Sequence, residues 1–151
     1  MNQSPLWKRL LLYLPSQLFG GVSWLRNKAF DFHLLATKQF DIPTICIGNI
    51  SVGGTGKTPH TEYVIRLLSA DKRLAVLSRG YKRKTSGFVL ADSSATAHTI
   101  GDEPFQMQHK FPEVTVAVDE KRVHGIEQLL TLPVPPEVIL LDDAFQHRHV
   151  T

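Results

Sequence analysis

Residues Ser51 to Thr58 read S-V-G-G-T-G-K-T, and the segments on either side of them decide the fold. Upstream, Pro43 to Ile50 (P-T-I-C-I-G-N-I) predicts a strand, and downstream Pro59 to about Ser69 predicts a helix with Tyr63, Val64, Leu67 and Leu68 on one face. A glycine-rich turn between a buried strand and a helix start is the setting of a phosphate-binding loop. Gly53, Gly54 and Gly56 let backbone N–H groups turn toward an anion at the positive end of the helix. Lys57 would reach the β- and γ-phosphates of a nucleotide, and the Thr58 hydroxyl would ligate Mg²⁺. The strict pattern has glycine where Ser51 stands, but the three glycines that shape the loop remain. An ordinary strand-to-helix turn would account for the glycines and not for the Lys-Thr pair. Ser51, Val52, Gly53, Gly54, Thr55, Gly56, Lys57 and Thr58 are therefore the candidate nucleotide-binding residues.

Working outward, the pattern keeps alternating. Leu74 to Leu77 (L-A-V-L), Gly87 to Leu90, Val114 to Val118 (V-T-V-A-V) and Val138 to Leu141 (V-I-L-L) predict strands. A basic loop follows the first of these, and a polar connection runs from Asp92 to Thr99. Helices are expected near Asp102 and around Val123, Ile126, Leu129 and Leu130. Near-continuous apolar strands separated by helices predict an α/β fold of the P-loop NTPase kind, a mostly parallel sheet with helices on both faces. Asp142 and Asp143 end the last strand, where such a fold places the carboxylates that hold Mg²⁺. Only eight residues follow Asp143, too few for a helix covering that edge of the sheet, so an incomplete domain is expected.

The chain has 151 residues, 42% of them apolar and 21% charged. That composition excludes disorder, and a single cysteine, Cys46, excludes an internal disulfide. Lysine and arginine outnumber aspartate and glutamate by 17 to 14, an excess too mild to name a partner by itself. Its placement is more informative. Lys8, Arg9, Arg26 and Lys28 accompany an apolar N-terminus, and Arg79, Lys82, Arg83 and Lys84 crowd one loop. Leu6, Leu10 and Leu14 fall four apart, which predicts a short amphipathic helix, and a second apolar stretch begins after a break at Gly20 and Gly21. Residues 1–40 thus form N-terminal amphipathic helices, either packed as core or lying on a membrane surface, ahead of a P-loop domain at 41–151. The apolar run ends at Pro15, too short to span a bilayer.

Three more stretches follow G-N-I-S-V-G-G-T-G-K-T-P in order: S-R-G-Y-K-R-K at Ser78 to Lys84, G-D-E-P at Gly101 to Pro104, and L-D-D-A-F-Q-H-R at Leu141 to Arg148. Together they resemble the tetraacyldisaccharide 4′-kinases of lipid A biosynthesis in Gram-negative bacteria. The last motif more often has glycine where Ala144 stands. The resemblance implies transfer of the γ-phosphoryl group of ATP, with Mg²⁺, to the 4′-hydroxyl of a tetraacylated glucosamine disaccharide 1-phosphate. It implies peripheral attachment to the cytoplasmic face of the inner membrane and no nucleic-acid partner. It also implies a longer protein whose remaining part holds further functional groups, so that this chain alone would be inactive.

The same resemblance gives Asp102 the role of base that accepts the hydroxyl proton, with Lys57, Asp142 and Asp143 as its catalytic companions. By its own sequence context Asp102 reads first as a helix N-cap ahead of Pro104, and it is the resemblance that favours the base. Glu103 would orient Mg²⁺ or the acceptor, or else support the first helical turn. In the basic loop, Arg79 and its neighbours suit phosphate, or form a solvated surface, and Tyr81 would pack on sugar or base. Arg122 is another phosphate candidate, and Gln146 and His147 follow the Mg²⁺ carboxylates as supporting groups, with a purely structural histidine as the equal alternative for His147. A nucleotide-dependent switch or metallochaperone shares the loop and the terminal aspartate. No N-K-x-D guanine motif follows the loop to support a GTP switch.

Overall fold

The computed structural model describes residues 6–32, 37–48 and 57–142. The chain divides into two units, Met1–Thr37 and Lys38–Thr151. Among its described residues the first has one helix, α1 (Leu6–Asp31), which runs unbroken through Pro15, Gly20 and Gly21. The expected break at the glycine pair is absent. Glycine within a helix costs only about 1 kcal/mol relative to alanine, so two of them weaken a 26-residue helix without ending it. Leu18, Val22 and Leu25 are exposed at helical spacing, as are Tyr13 and Trp24. No helix among the described residues is long and apolar enough to cross a membrane.

The second unit is built on a five-stranded sheet. Its strands are β1 (Thr44–Ile47), β2 (Leu74–Ser78), β3 (Val89–Leu90), β4 (Thr115–Val118) and β5 (Val138–Asp142), in the order β1-β5-β2-β4-β3. All pairings are parallel except that of β3 with β4. β5 is therefore interior, between β1 and β2, and not the uncovered edge strand that its late position suggested. Both β2 and β5 are buried at every residue, which explains their unbroken apolar sequences.

Alternate residues of these strands point to two separate cores. On one face Val76, Val116 and Leu140 pack with Ile65 of α2 (Lys57–Leu68) and with Met107 of α4 (Asp102–Lys110). On the other, Ala75, Leu77, Ala117 and Leu141 pack with Ile126 and Leu129 of α5 (Arg122–Leu130). The connection before α4 holds a single helical turn, α3 (Ala97–Ile100), where the sequence suggested only polar coil. A capping box stabilises it: Thr99 N donates to Thr96 Oγ1, and Thr96 N donates to Thr99 Oγ1. The fully buried Ile100 anchors it.

Candidate functional site

The strand order brings the chemistry to one edge. β1 and β5 are neighbours, with Ile47 opposite Asp142, so the end of β1 lies beside the residue whose carboxylate ends β5. β2 ends alongside at Ser78 and β4 at Val118, and the ligand crevice of an open α/β sheet lies outside these carboxyl ends. The loop residues Ser51 to Gly56 lie outside the described residues, as do Asp143, Gln146 and His147. Lys57 is the first residue of α2, which fixes where its backbone stands.

Asp142 is 3% exposed. Its Oδ1 accepts from Thr61 Oγ1 at 3.3 Å, and its backbone carbonyl accepts from Arg122 Nη2 at 3.2 Å. Thr58 Oγ1 donates to Glu103 Oε1 at 3.3 Å. That bond occupies the hydroxyl proton and leaves an oxygen lone pair for a cation. Thr58 and Asp142 together offer the hard oxygen donors that Mg²⁺ prefers, so the residues present fit that ion.

Asp102 is exposed and is the first residue of α4, preceded by Gly101 as the N-cap. No side chain caps the helix, so the N-cap reading of Asp102 is set aside. Gly101 has φ +94°, and an added Cβ would lie 3.1 Å from the Tyr81 carbonyl oxygen and 3.2 Å from Gly80 C. The loop after β2 and the start of α4 thus meet backbone to backbone, and only glycine allows that approach together with a left-handed φ.

Within the basic loop the cations divide. Arg79, Lys82 and Lys84 are exposed, and Lys82 Nζ lies 5.3 Å from the centre of the exposed Tyr81 ring. Arg83 departs from the phosphate-facing expectation. Its side chain is 2% exposed, bonds Glu120 Oε1 at 2.5 Å and donates to the Gly87 carbonyl at 2.6 Å. It closes the loop from within. Burial acts to raise the Glu120 pKa, but the hydrogen bonds from Arg83 and from backbone N–H groups, with the Arg83 charge, together outweigh it and hold the carboxyl below its ordinary value.

Arg122 is 2% exposed, and its guanidinium donates to the carbonyls of Asp119 and Asp142. It therefore ties the end of β4 to the end of β5 directly under the crevice. Beside it, Asp119 Oδ2 lies 2.6 Å from His124 Nδ1, and Asp119 Oδ1 accepts from Lys121 N at 2.8 Å. Sequence reasoning passed over Thr61, Glu62 and Glu120. Thr61 and Glu62 lie three and four residues beyond Thr58, on the same face of α2, and that spacing was the available signal. Glu120 had none, because its partner is fixed only by the folded loop.

Matches to known proteins show the family and the fold. The family model described as tetraacyldisaccharide-1-P 4′-kinase matches residues 8–151. A tetraacyldisaccharide 4′-kinase of Bacteroides fragilis is 64% identical over 140 residues, which cover 92% of this chain and 37% of that protein. One from Flavobacterium johnsoniae is 57% identical over 142 residues, covering 94% of this chain and 42% of its own length. A crystal structure of Aquifex aeolicus LpxK in complex with ATP superposes with a TM-score of 0.86 at 38% identity, covering 95% of this chain and 46% of that one. The chain thus spans about two-fifths of the length of the curated relatives it matches. With the family model covering nearly every residue and the sheet edge assembled as described, the chain belongs to the tetraacyldisaccharide 1-phosphate 4′-kinase family.

Proposed function

We propose that this chain supplies the nucleotide-binding and base-bearing part of a lipid kinase. The enzyme would move the γ-phosphoryl group of ATP to the 4′-hydroxyl of a tetraacylated glucosamine disaccharide 1-phosphate in lipid A biosynthesis. The observation that carries this reading is the convergence at one sheet edge of Asp142, Thr58 at the start of α2, and Asp102 and Glu103 at the start of α4. Phosphoryl transfer asks a protein mainly for positioning and charge stabilisation, and these groups supply both.

Ser51 to Gly56 cradle the phosphates with backbone N–H groups, and Lys57 neutralises the β- and γ-phosphate oxygens. Thr58, Asp142 and Asp143 would hold Mg²⁺, which when bound stabilises the charge that develops on the transferred group. Asp102, exposed and unbonded by any helix cap, accepts the proton of the attacking hydroxyl. Glu103 keeps Thr58 oriented through their hydrogen bond. Arg79 with its exposed neighbours Lys82 and Lys84 suits the acceptor's 1-phosphate, and Tyr81 offers a face to sugar. Arg122 holds the carboxyl end of β5 in place, and Gln146 and His147 would serve as supporting groups to the Mg²⁺ carboxylates.

The acceptor carries four acyl chains and resides in a bilayer. Helix α1 suits attachment at the cytoplasmic face of the inner membrane as a peripheral element: it exposes Leu18, Val22, Trp24 and Leu25, and Lys28 Nζ stands 5.9 Å from the centre of the Phe32 ring. The deciding experiment is transfer of labelled γ-phosphate from ATP to a membrane-presented tetraacyl disaccharide 1-phosphate, using the gene's full product. Label in the lipid supports the kinase. Release of phosphate into water with no labelled lipid supports a nucleotide-driven switch instead.

A further inference from the structure

The helix that follows the phosphate loop and the helix that carries Asp102 are joined along their length by a polar seam. α2 and α4 cover the same face of the sheet. Their side chains meet in sequence: Thr58 donates to Glu103 at 3.3 Å, and one turn further along α2 Glu62 Oε1 accepts from Gln106 Nε2 at 3.0 Å and from Lys110 Nζ at 2.6 Å. Steps of four on α2 match steps of three and four on α4, as two parallel helices in register require. Glu62 is 8% exposed, whereas Tyr63 and Leu67 on the same helix are open to solvent.

Burying a carboxylate here is a poor way to gain stability, because well-packed apolar residues of similar volume commonly serve as well or better. What an ion pair adds is registry. An apolar seam tolerates sliding by part of a turn, whereas Glu62 meets both Gln106 and Lys110 at the present axial offset, and sliding would stretch these directional contacts. The chemistry needs that offset fixed, since the phosphate loop is anchored to the start of α2 and Asp102 to the start of α4. We propose that Glu62, acting through Gln106 and Lys110, is a positioning residue that sets the register of α4 against α2 and so holds Asp102 at transfer distance from the bound nucleotide. This rests on the reading of Asp102 as the base.

The test uses the gene's full product with ATP and the tetraacyl disaccharide 1-phosphate in mixed micelles. Wild type and Asp102→Ala are measured first; absent transfer in the wild type, or normal transfer by Asp102→Ala, defeats the reading of the site, and the proposal falls with it. With those controls in place, Glu62→Ala should lower kcat about tenfold or more while KM for ATP stays within about twofold, the signature of misplaced reacting groups. The exchanged pair Glu62→Lys with Lys110→Glu should restore most of kcat, and Glu62→Lys alone should not. If Glu62→Ala does not fold, Glu62→Gln and the exchanged pair decide by the same criteria. An unchanged kcat with a lower melting temperature would overturn the proposal by making the seam a staple only. So would a KM for ATP that rises in step with the loss of kcat, or an exchanged pair that regains melting temperature without kcat.

Discussion

At the scale of single residues, the proposed site separates groups that would hold nucleotide from the group that would accept the acceptor's proton. Lys57→Ala and Asp142→Ala should each abolish transfer and weaken ATP binding. Asp102→Ala should abolish transfer and leave ATP affinity within about twofold, because a base touches the acceptor and not the nucleotide. Titration calorimetry with ATP beside the transfer assay separates the two; equal loss of affinity in all three variants would defeat the base assignment. Gly101→Ala places a Cβ against the Tyr81 carbonyl and Gly80 at φ +94°, so it should cost about 1–3 kcal/mol in chemical denaturation and lower kcat by shifting Asp102. Both the glycine and the aspartate were visible in G-D-E-P. What the motif did not reveal is that the glycine serves a backbone contact with a loop twenty residues earlier.

At the scale of elements, two ion pairs behave differently because their burial differs. The hydrogen bond from Lys110 holds the Glu62 carboxyl below its ordinary 4.5, against the opposing effect of burial, with Gln106 and Arg66 adding to it. A carboxylate depressed in the folded state stabilises it above its unfolded pKa, and that contribution disappears as pH falls through the lowered folded value. The melting-temperature difference between wild type and Glu62→Gln should therefore be full at pH 7 and shrink steadily as the pH drops below 4.5. In the loop after β2 the cation is the buried partner: the Arg83 side chain is 2% exposed and that of Glu120 42%. Glu120→Ala leaves a buried guanidinium short of a partner and should cost about 2–3 kcal/mol, whereas Arg83→Met leaves a carboxylate that water can reach and should cost less. Urea denaturation of the two variants checks the order. The charge run in the sequence could not distinguish Arg83 from Arg79, since only the fold decides which of several adjacent cations turns inward.

At the scale of the whole molecule, α1 forms one compact unit and the α/β sheet another. Leu18, Val22 and Leu25 make a stripe on α1, and an interfacial helix binds in proportion to the apolar area it inserts plus its attraction to anionic lipid. Replacing Val22 and Leu25 by aspartate should reduce sedimentation with anionic vesicles about tenfold or more without moving the melting temperature of the sheet unit. Retained vesicle binding would remove α1 from the account of membrane attachment.

The α/β class and the family were legible in the chain alone, because strand runs, glycine spacing and the Lys-Thr pair are local patterns set by backbone geometry and phosphate chemistry. Tertiary structure alone decided the rest. It inserted β5 between β1 and β2, so that Asp142 stands beside the end of β1. It turned Arg83 inward onto Glu120 and joined α2 to α4 through Glu62. Strand order and long-range ion pairs depend on which surfaces meet after collapse, and Glu62 and Lys110, 48 positions apart, carry no local sign of each other.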